Sequence, residues 1–267
     1  TETSSTLSLI DASGMTLESR IHTSDGYTRT KEADGSLAEF LRNYAMEPDQ
    51  SPVLLYDGSK KRNQKAHVAV FDLPLEHEDL QQCADSAIRV YAEYFWSTKQ
   101  YDRIAFHFTN GFDAQYTKWA DGYRIRVNGN NVSWIKSAQP DTSYDSLKDY
   151  LRIVFSYAGT ASMDTEAQPI PLSADLQVGD VFLKGGNPGH VVMVVDLCEN
   201  ADGKKAFLLA QGYMPAQQFH VLKNPAHEDD PWYYEDEVTY PFHTPEYTFQ
   251  KGSLKRLNYG ITHTAPE

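Results

Sequence analysis

The chain has 267 residues, of which 40% are hydrophobic and 23% charged, and its formal net charge is −13. That length suits one large domain or two small ones, with enough apolar content to bury a core. The acidity excludes a nucleic-acid partner, because phosphate recognition needs a basic footprint and the one basic run, Lys60-Lys61-Arg62, is short.

The chain opens Thr-Glu-Thr-Ser-Ser-Thr, and residues 1–14 read as a polar, flexible lead-in to a single domain over 15–267. Such an opening fits a mature or trimmed N-terminus whose export signal is gone. Residues 38–45 predict a short helix. The apolar runs 53–56 and 67–73 predict two strands, paired as a hairpin around the polar loop 57–66, where Asp57-Gly58 signals a turn. Over 78–99, Leu80, Ala84, Ala87, Ile88, Tyr91 and Phe95 recur at helical spacing, which predicts the longest helix of the chain. Asp79 sits near its start, where an acidic side chain suits the dipole. A strand is predicted over 104–108, loops with short strands over 109–137, and a second helix over 145–157.

A strand-rich block follows. Residues 179–183 predict a strand that ends at Gly185-Gly186-Asn187-Pro188-Gly189. Residues 190–197 are apolar almost throughout, so that strand belongs deep in a sheet. Residues 200–204 supply a turn, and 206–211 predict the third strand of an antiparallel meander. From 225 onward the chain is rich in Pro, His, Tyr and acidic residues and reads as a surface wrap. No stretch approaches the ~20 apolar residues of a membrane span.

Nucleophilic catalysis by cysteine needs a thiolate-prone sulfur, a base beside it and a group that orients the base. There are two cysteines, Cys83 and Cys198, too few for a disulfide framework. If 190–197 and 206–211 pair antiparallel, His190 at the start of one lies beside Gln211 at the end of the other. His190 would then take the proton of Cys83, whose thiolate a helix N-terminus favours. Gln211 would hold the imidazole, as an Asn or an acid does in other Cys-His sites. Each member also has a plainer reading. A free cysteine is often simply buried, a helix beginning near Glu78 leaves Cys83 a turn inside it, and Gln211 can merely cap a strand. Trp119, Tyr123, Trp134 and Tyr213 read either as the lining of a substrate groove or as core. His67 and His107 have no second ligand at metal spacing, so neither a metal nor another cofactor is expected. The run His227-Glu228-Asp229-Asp230 reads as solvated surface rather than a calcium site. Gly185-Gly186-Asn187-Pro188-Gly189 leads into a strand, unlike a phosphate loop, and Ser137 and Ser156 lack a nucleophile elbow.

Four stretches carry a resemblance: Leu80-Gln81-Gln82-Cys83-Ala84-Asp85; Tyr116-Thr117-Lys118-Trp119 with Gly122-Tyr123-Arg124; Gly179-Asp180-Val181-Phe182 through Gly189-His190; and Gln211-Gly212-Tyr213-Met214-Pro215-Ala216-Gln217. They resemble the domain of unknown function 4846, over residues 15–255 or so. That family looks like exported proteins of Bacteroides and relatives, which implies a place in the cell envelope or periplasm and brings no established activity. A more distant likeness, over 78–215, is to NlpC-type peptidases and CHAP amidases. Those folds set a Cys at a helix N-terminus, a His on a following strand and a polar residue on the next. Their Gly-Asp-hydrophobic strand before a Gly-His-Val strand is similar to Gly179-Asp180-Val181-Phe182 and Gly189-His190-Val191. The likeness implies a core over 78–215 with 105–165 inserted, since the Cys-to-His separation is wide for such folds. Gln82 stands where they carry Asp or Asn before the Cys.

The expectation is therefore an α+β domain, an antiparallel sheet packed against a long helix, papain-like if the distant likeness holds. Its function would be hydrolysis of amide bonds in cell-wall peptides by Cys83, His190 and Gln211. The alternative expectation is a non-catalytic envelope protein that binds peptide or glycan in an aromatic cleft.

Overall fold

The run that begins at His190 is apolar on both faces, and in the structure it becomes the central strand, His190–Asn200, of a nine-stranded antiparallel sheet. The structure is a computed structural model that describes residues 8–172 and 175–259. Across the sheet the order is His67–Val70, His220–Leu222, Lys205–Gln211, His190–Asn200, Val181–Lys184, Leu254–Leu257 and Ala167–Pro169. Tyr27–Arg29 joins the far end of the His190 strand, and Tyr233–Tyr234 joins the start of the Lys205 strand.

Alternation along the central strand divides the interior in two. Val191, Met193 and Val195 face a core shared with Ala84, Ala87, Ile88 and Tyr91 of the helix Cys83–Ser97. Val192 and Val194 face a second core with Phe182, Phe207, Phe242 and Phe249. Side chains buried this completely contribute about 1.5–3 kcal/mol each, and both faces being filled explains why the strand has no polar alternation. The protein is thus α+β, with helices on one side of an antiparallel sheet.

The meander over 181–211 forms as its apolar runs and polar turns predict, with Val181 opposite Met193 and Ala210 opposite Met193 from the other side. Several expectations need correction. The runs 53–56 and 67–73 do not form a hairpin. Residues 67–70 pair with His220–Leu222 instead, while Leu54 and Leu55 make only isolated bridges to Lys60 and Gln217. Local hydrophobicity could not choose between a near partner and one about 150 residues away. The segment after 225 does not merely wrap the surface: Trp232, Tyr233, Phe242, Phe249 and Leu254 are buried, and Leu254–Leu257 is a strand of the main sheet. Its prolines and acidic residues mask widely spaced core residues. In the lead-in, Ile10 bridges Ile21; residues 1–7 lie outside the described residues.

The segment 105–165 contributes no strand to the main sheet. It carries the pairs Ala105–His107 with Asp113–Gln115 and Tyr123–Asn128 with Asn131–Lys136, and the helices Tyr116–Ala120, Tyr144–Tyr157 and Thr160–Thr165.

Candidate functional site

Helical periodicity begins near residue 78, but the helix begins at Cys83. The five residues before it are tied into tight turns, Leu80 N–H to the Glu78 carbonyl at 2.8 Å and Gln82 N–H to the Leu80 carbonyl at 2.9 Å. Asp79 is drawn off to another segment, where its carboxylate accepts from the Ala216 amide at 2.6 Å. Helical bonding starts when the Ser86 N–H reaches the Gln82 carbonyl at 3.0 Å, and the Asp85 carboxylate accepts from the Gln82 amide at 3.1 Å. Cys83 therefore occupies the first helical position, where the unpaired amides of the N-terminal turn are exposed to it.

The half-buried thiol feels opposing influences. Burial pushes its pKa up to about 11, with the Asp85 carboxylate adding to the rise, while the backbone amides of Ala84, Val191 and Cys83 itself act to lower it. Val191 follows His190, so the sulfur lies against the beginning of the His190 strand. The end of the neighbouring strand is there too. A Cβ on Gly212 would sit 2.1 Å from Ser86 Oγ and 3.1 Å from the Gln82 carbonyl oxygen, so only glycine lets the chain leaving Gln211 pass the first turn of the Cys83 helix.

His190 and Gln211 are both 1% exposed and are joined by a hydrogen bond of 2.7 Å from imidazole Nε2 to Gln211 Oε1. The partners of Gln211 settle which atom donates. Its amide Nε2 lies 3.0 Å from Glu246 Oε1, which can only accept, and 3.4 Å from His220 Nε2. His220 Nδ1 is 2.9 Å from the Gln218 carbonyl, so it carries the proton and leaves Nε2 as an acceptor. The Gln211 amide nitrogen thus faces two acceptors, its oxygen faces His190, and His190 must be protonated on Nε2. Nδ1 keeps its lone pair and has no hydrogen-bond partner among the described residues. Beyond Gln211, Lys61 pairs with Glu246.

Two rings enclose the imidazole, Tyr213 with centroids 4.4 Å apart and Tyr247 at 4.9 Å. Burial pulls the His190 pKa down to about 4, against a rise from the Gln211 bond. The resting pair is therefore a thiol and a neutral imidazole, and no hydrogen bond joins Cys83 to His190 among the described residues. The other cysteine, Cys198, is fully buried in the sheet, with its pKa pushed up to about 12 by burial.

The structure brings Cys83, His190, Gln211 and Tyr213 to one end of the sheet, with the bonded His190 and Gln211 side chains on the Phe249 face and the Cys83 helix packed on the other. It does not bring Trp119, Tyr123 or Trp134 there. Trp119 is 5% exposed, with Arg124 stacked 4.1 Å over it and Tyr150 at 6.0 Å, while Tyr123 and Trp134 are half-buried on the hairpin beside it. That group packs through Tyr116 and Tyr101 just past the C-terminal end of the Cys83 helix. A helix of 15 residues is ~22 Å long, so its far end stands well away from the sulfur. Sequence reasoning missed Glu246, His220, Lys61 and Tyr247. Only His220 had a local signal, a polar residue opening the apolar run His220-Val221-Leu222; Glu246 and Tyr247 lay in a segment read as surface.

A family model described as domain of unknown function 4846 matches residues 17–256 of the chain. No curated protein and no solved structure matches it.

Proposed function

We propose that this chain, which belongs to the domain of unknown function 4846 family, is a thiol hydrolase that cleaves amide bonds, with cell-wall peptides at the envelope as its substrates. The observation that carries the reading is the fixed tautomer of His190. Its Nε2–H is committed to Gln211, and Nδ1 keeps a lone pair at the end of the sheet where the Cys83 helix begins, with the ring on the Phe249 face of the strand and the Val191 backbone amide of that strand at the Cys83 sulfur. The envelope location is carried over from the resemblance to exported proteins.

In this mechanism His190 Nδ1 takes the thiol proton as the Cys83 sulfur attacks the carbonyl carbon. The imidazolium gives that proton to the departing amine, the C–N bond breaks and a thioester remains. Water, deprotonated by the same nitrogen, then releases the acid and restores the thiol. Gln211 Oε1 holds the Nε2–H throughout. The amides of Cys83, Ala84 and Val191 lie where negative charge develops on sulfur.

The high thiol pKa and the enclosed imidazole favour a second reading, a non-catalytic protein that binds peptide or glycan. Incubating wild type and Cys83→Ala with peptidoglycan fragments separates the two. Release of new amino groups by wild type alone supports hydrolysis. Fragments bound equally by both proteins and never cut would establish the second reading.

A further inference from the structure

We infer that Glu246 and His220 act as a two-point clamp on the Gln211 amide and are positioning residues for His190, an inference that rests on the hydrolase reading. A glutamine side chain is nearly symmetric in shape, so it can present either its oxygen or its nitrogen to a neighbour. The choice decides the chemistry here. With the oxygen toward His190, the ring is protonated on Nε2 and Nδ1 is a base. With the nitrogen toward it, Nε2 must accept, the proton moves to Nδ1, and the lone pair that would serve Cys83 is gone.

Both hydrogens of the amide have takers in the observed orientation. Glu246 Oε1 lies 3.0 Å from Gln211 Nε2, and its charge is balanced by Lys61. His220 Nε2 lies 3.4 Å away and is kept as an acceptor by the bond from Nδ1 to the Gln218 carbonyl. Flipping the amide would turn its oxygen toward a carboxylate and an imidazole lone pair, leaving Glu246 Oε1 with Lys61 as its one donor and the buried His220 Nε2 with none among the described residues. The surrounding titratable groups are Lys61 and Tyr213 near Glu246, and His67, whose ring centroid is 5.9 Å from that of His220. None supplies another donor to Gln211 among the described residues.

The experiment reads the tautomer directly. In protein labelled with 15N histidine, the two ring nitrogens of His190 have distinct shifts when one is protonated. Wild type is expected as the Nε2–H form. Glu246→Ala combined with His220→Phe should admit the Nδ1–H form and lower kcat on peptidoglycan fragments by about 10–100-fold, the usual scale for losing an orienting partner, with KM little changed. Glu246→Gln, which still offers a carbonyl oxygen, should keep the wild-type tautomer. Should the double variant not fold, Lys61→Met with Glu246→Ala removes one jaw without leaving a buried lone charge, and the Nδ1–H form should still rise. A wild-type protein already in the Nδ1–H form, or folded clamp variants with unchanged tautomer and kcat, would overturn the clamp. A tautomer that responds as expected in a protein that never cuts an amide sustains the clamp and removes the hydrolase reading.

Discussion

Two buried polar clusters hang on the same central strand, and they are built on opposite principles. At Asp196 both oxygens have donors: Oδ1 takes Arg42 Nε at 2.8 Å and the Leu197 amide at 2.9 Å, and Oδ2 takes Arg29 Nε at 2.8 Å. The two arginines also bond backbone carbonyls, Arg29 that of Ile21 and Arg42 that of Thr30 and Leu197. This cluster ties the N-terminal segments to the sheet and leaves neither carboxylate oxygen without a donor. At His190 the same care is taken with one ring nitrogen, while the other is left without a protein partner. A saturated cluster holds architecture; a cluster saturated up to one basic atom, at the end of the sheet where the Cys83 helix begins, is where the proposed hydrolysis would take place.

The contrast is tested most strongly by activity. Cys83→Ala should lower amide cleavage about a thousandfold or more, and adding His190→Ala should change what remains very little, because members of one catalytic unit are strongly non-additive. Losses that simply multiply would mean the two side chains do not work together. Asp196→Ala should behave in the opposite way. Removing the carboxylate strands two largely buried guanidinium groups, which costs about 3–5 kcal/mol, read as a lower urea midpoint, with kcat per folded molecule unchanged.

The third expectation concerns pH. His190 falls from an ordinary 6.5 to about 4 in the folded protein, because burial disfavours the charged ring. The unfolded chain therefore binds a proton that the folded one refuses between those values. The stability is fully present above about pH 6.5 and is lost as pH falls toward 4, by about 3 kcal/mol from this residue. His220 is also held well below its ordinary value by burial, and acts in the same direction. Urea unfolding followed from pH 7 to pH 4 should show the slope, and His190→Gln should flatten part of it. A variant as pH-sensitive as wild type would place the titration elsewhere.

The fold was most legible where a signal is local. The apolar runs at 181–184, 190–200 and 205–211, separated by short polar turns, define three adjacent strands, and their pairing sets His190 beside Gln211 without any knowledge of the rest. Legibility ended where the decisive contact is distant in sequence. The Asp79 bond to the Ala216 amide delays the helix to Cys83 and puts the thiol at its first position, against a periodicity that begins five residues earlier. The pairing of His67–Val70 with His220–Leu222 brings His220 to Gln211, and a segment rich in Pro and acid returns Glu246 to the same place. Trp119 illustrates the reverse error: an aromatic cluster with basic neighbours looks like a groove in sequence, yet its indole is buried against Tyr150.

The smallest effect is also the most direct probe of the central claim that His190 serves Cys83. Cys83 is half-buried and Cys198 fully buried, so faster modification of Cys83 alone would report access. The informative quantity is the rate at which iodoacetamide alkylates Cys83 at pH 7 in wild type relative to His190→Ala. The thiolate is the reacting species, and access to the sulfur is not reduced by a smaller side chain at position 190. Loss of the base should slow alkylation about tenfold or more. An equal or faster rate in His190→Ala would contradict the account and leave Cys83 as a packing residue at the start of a helix.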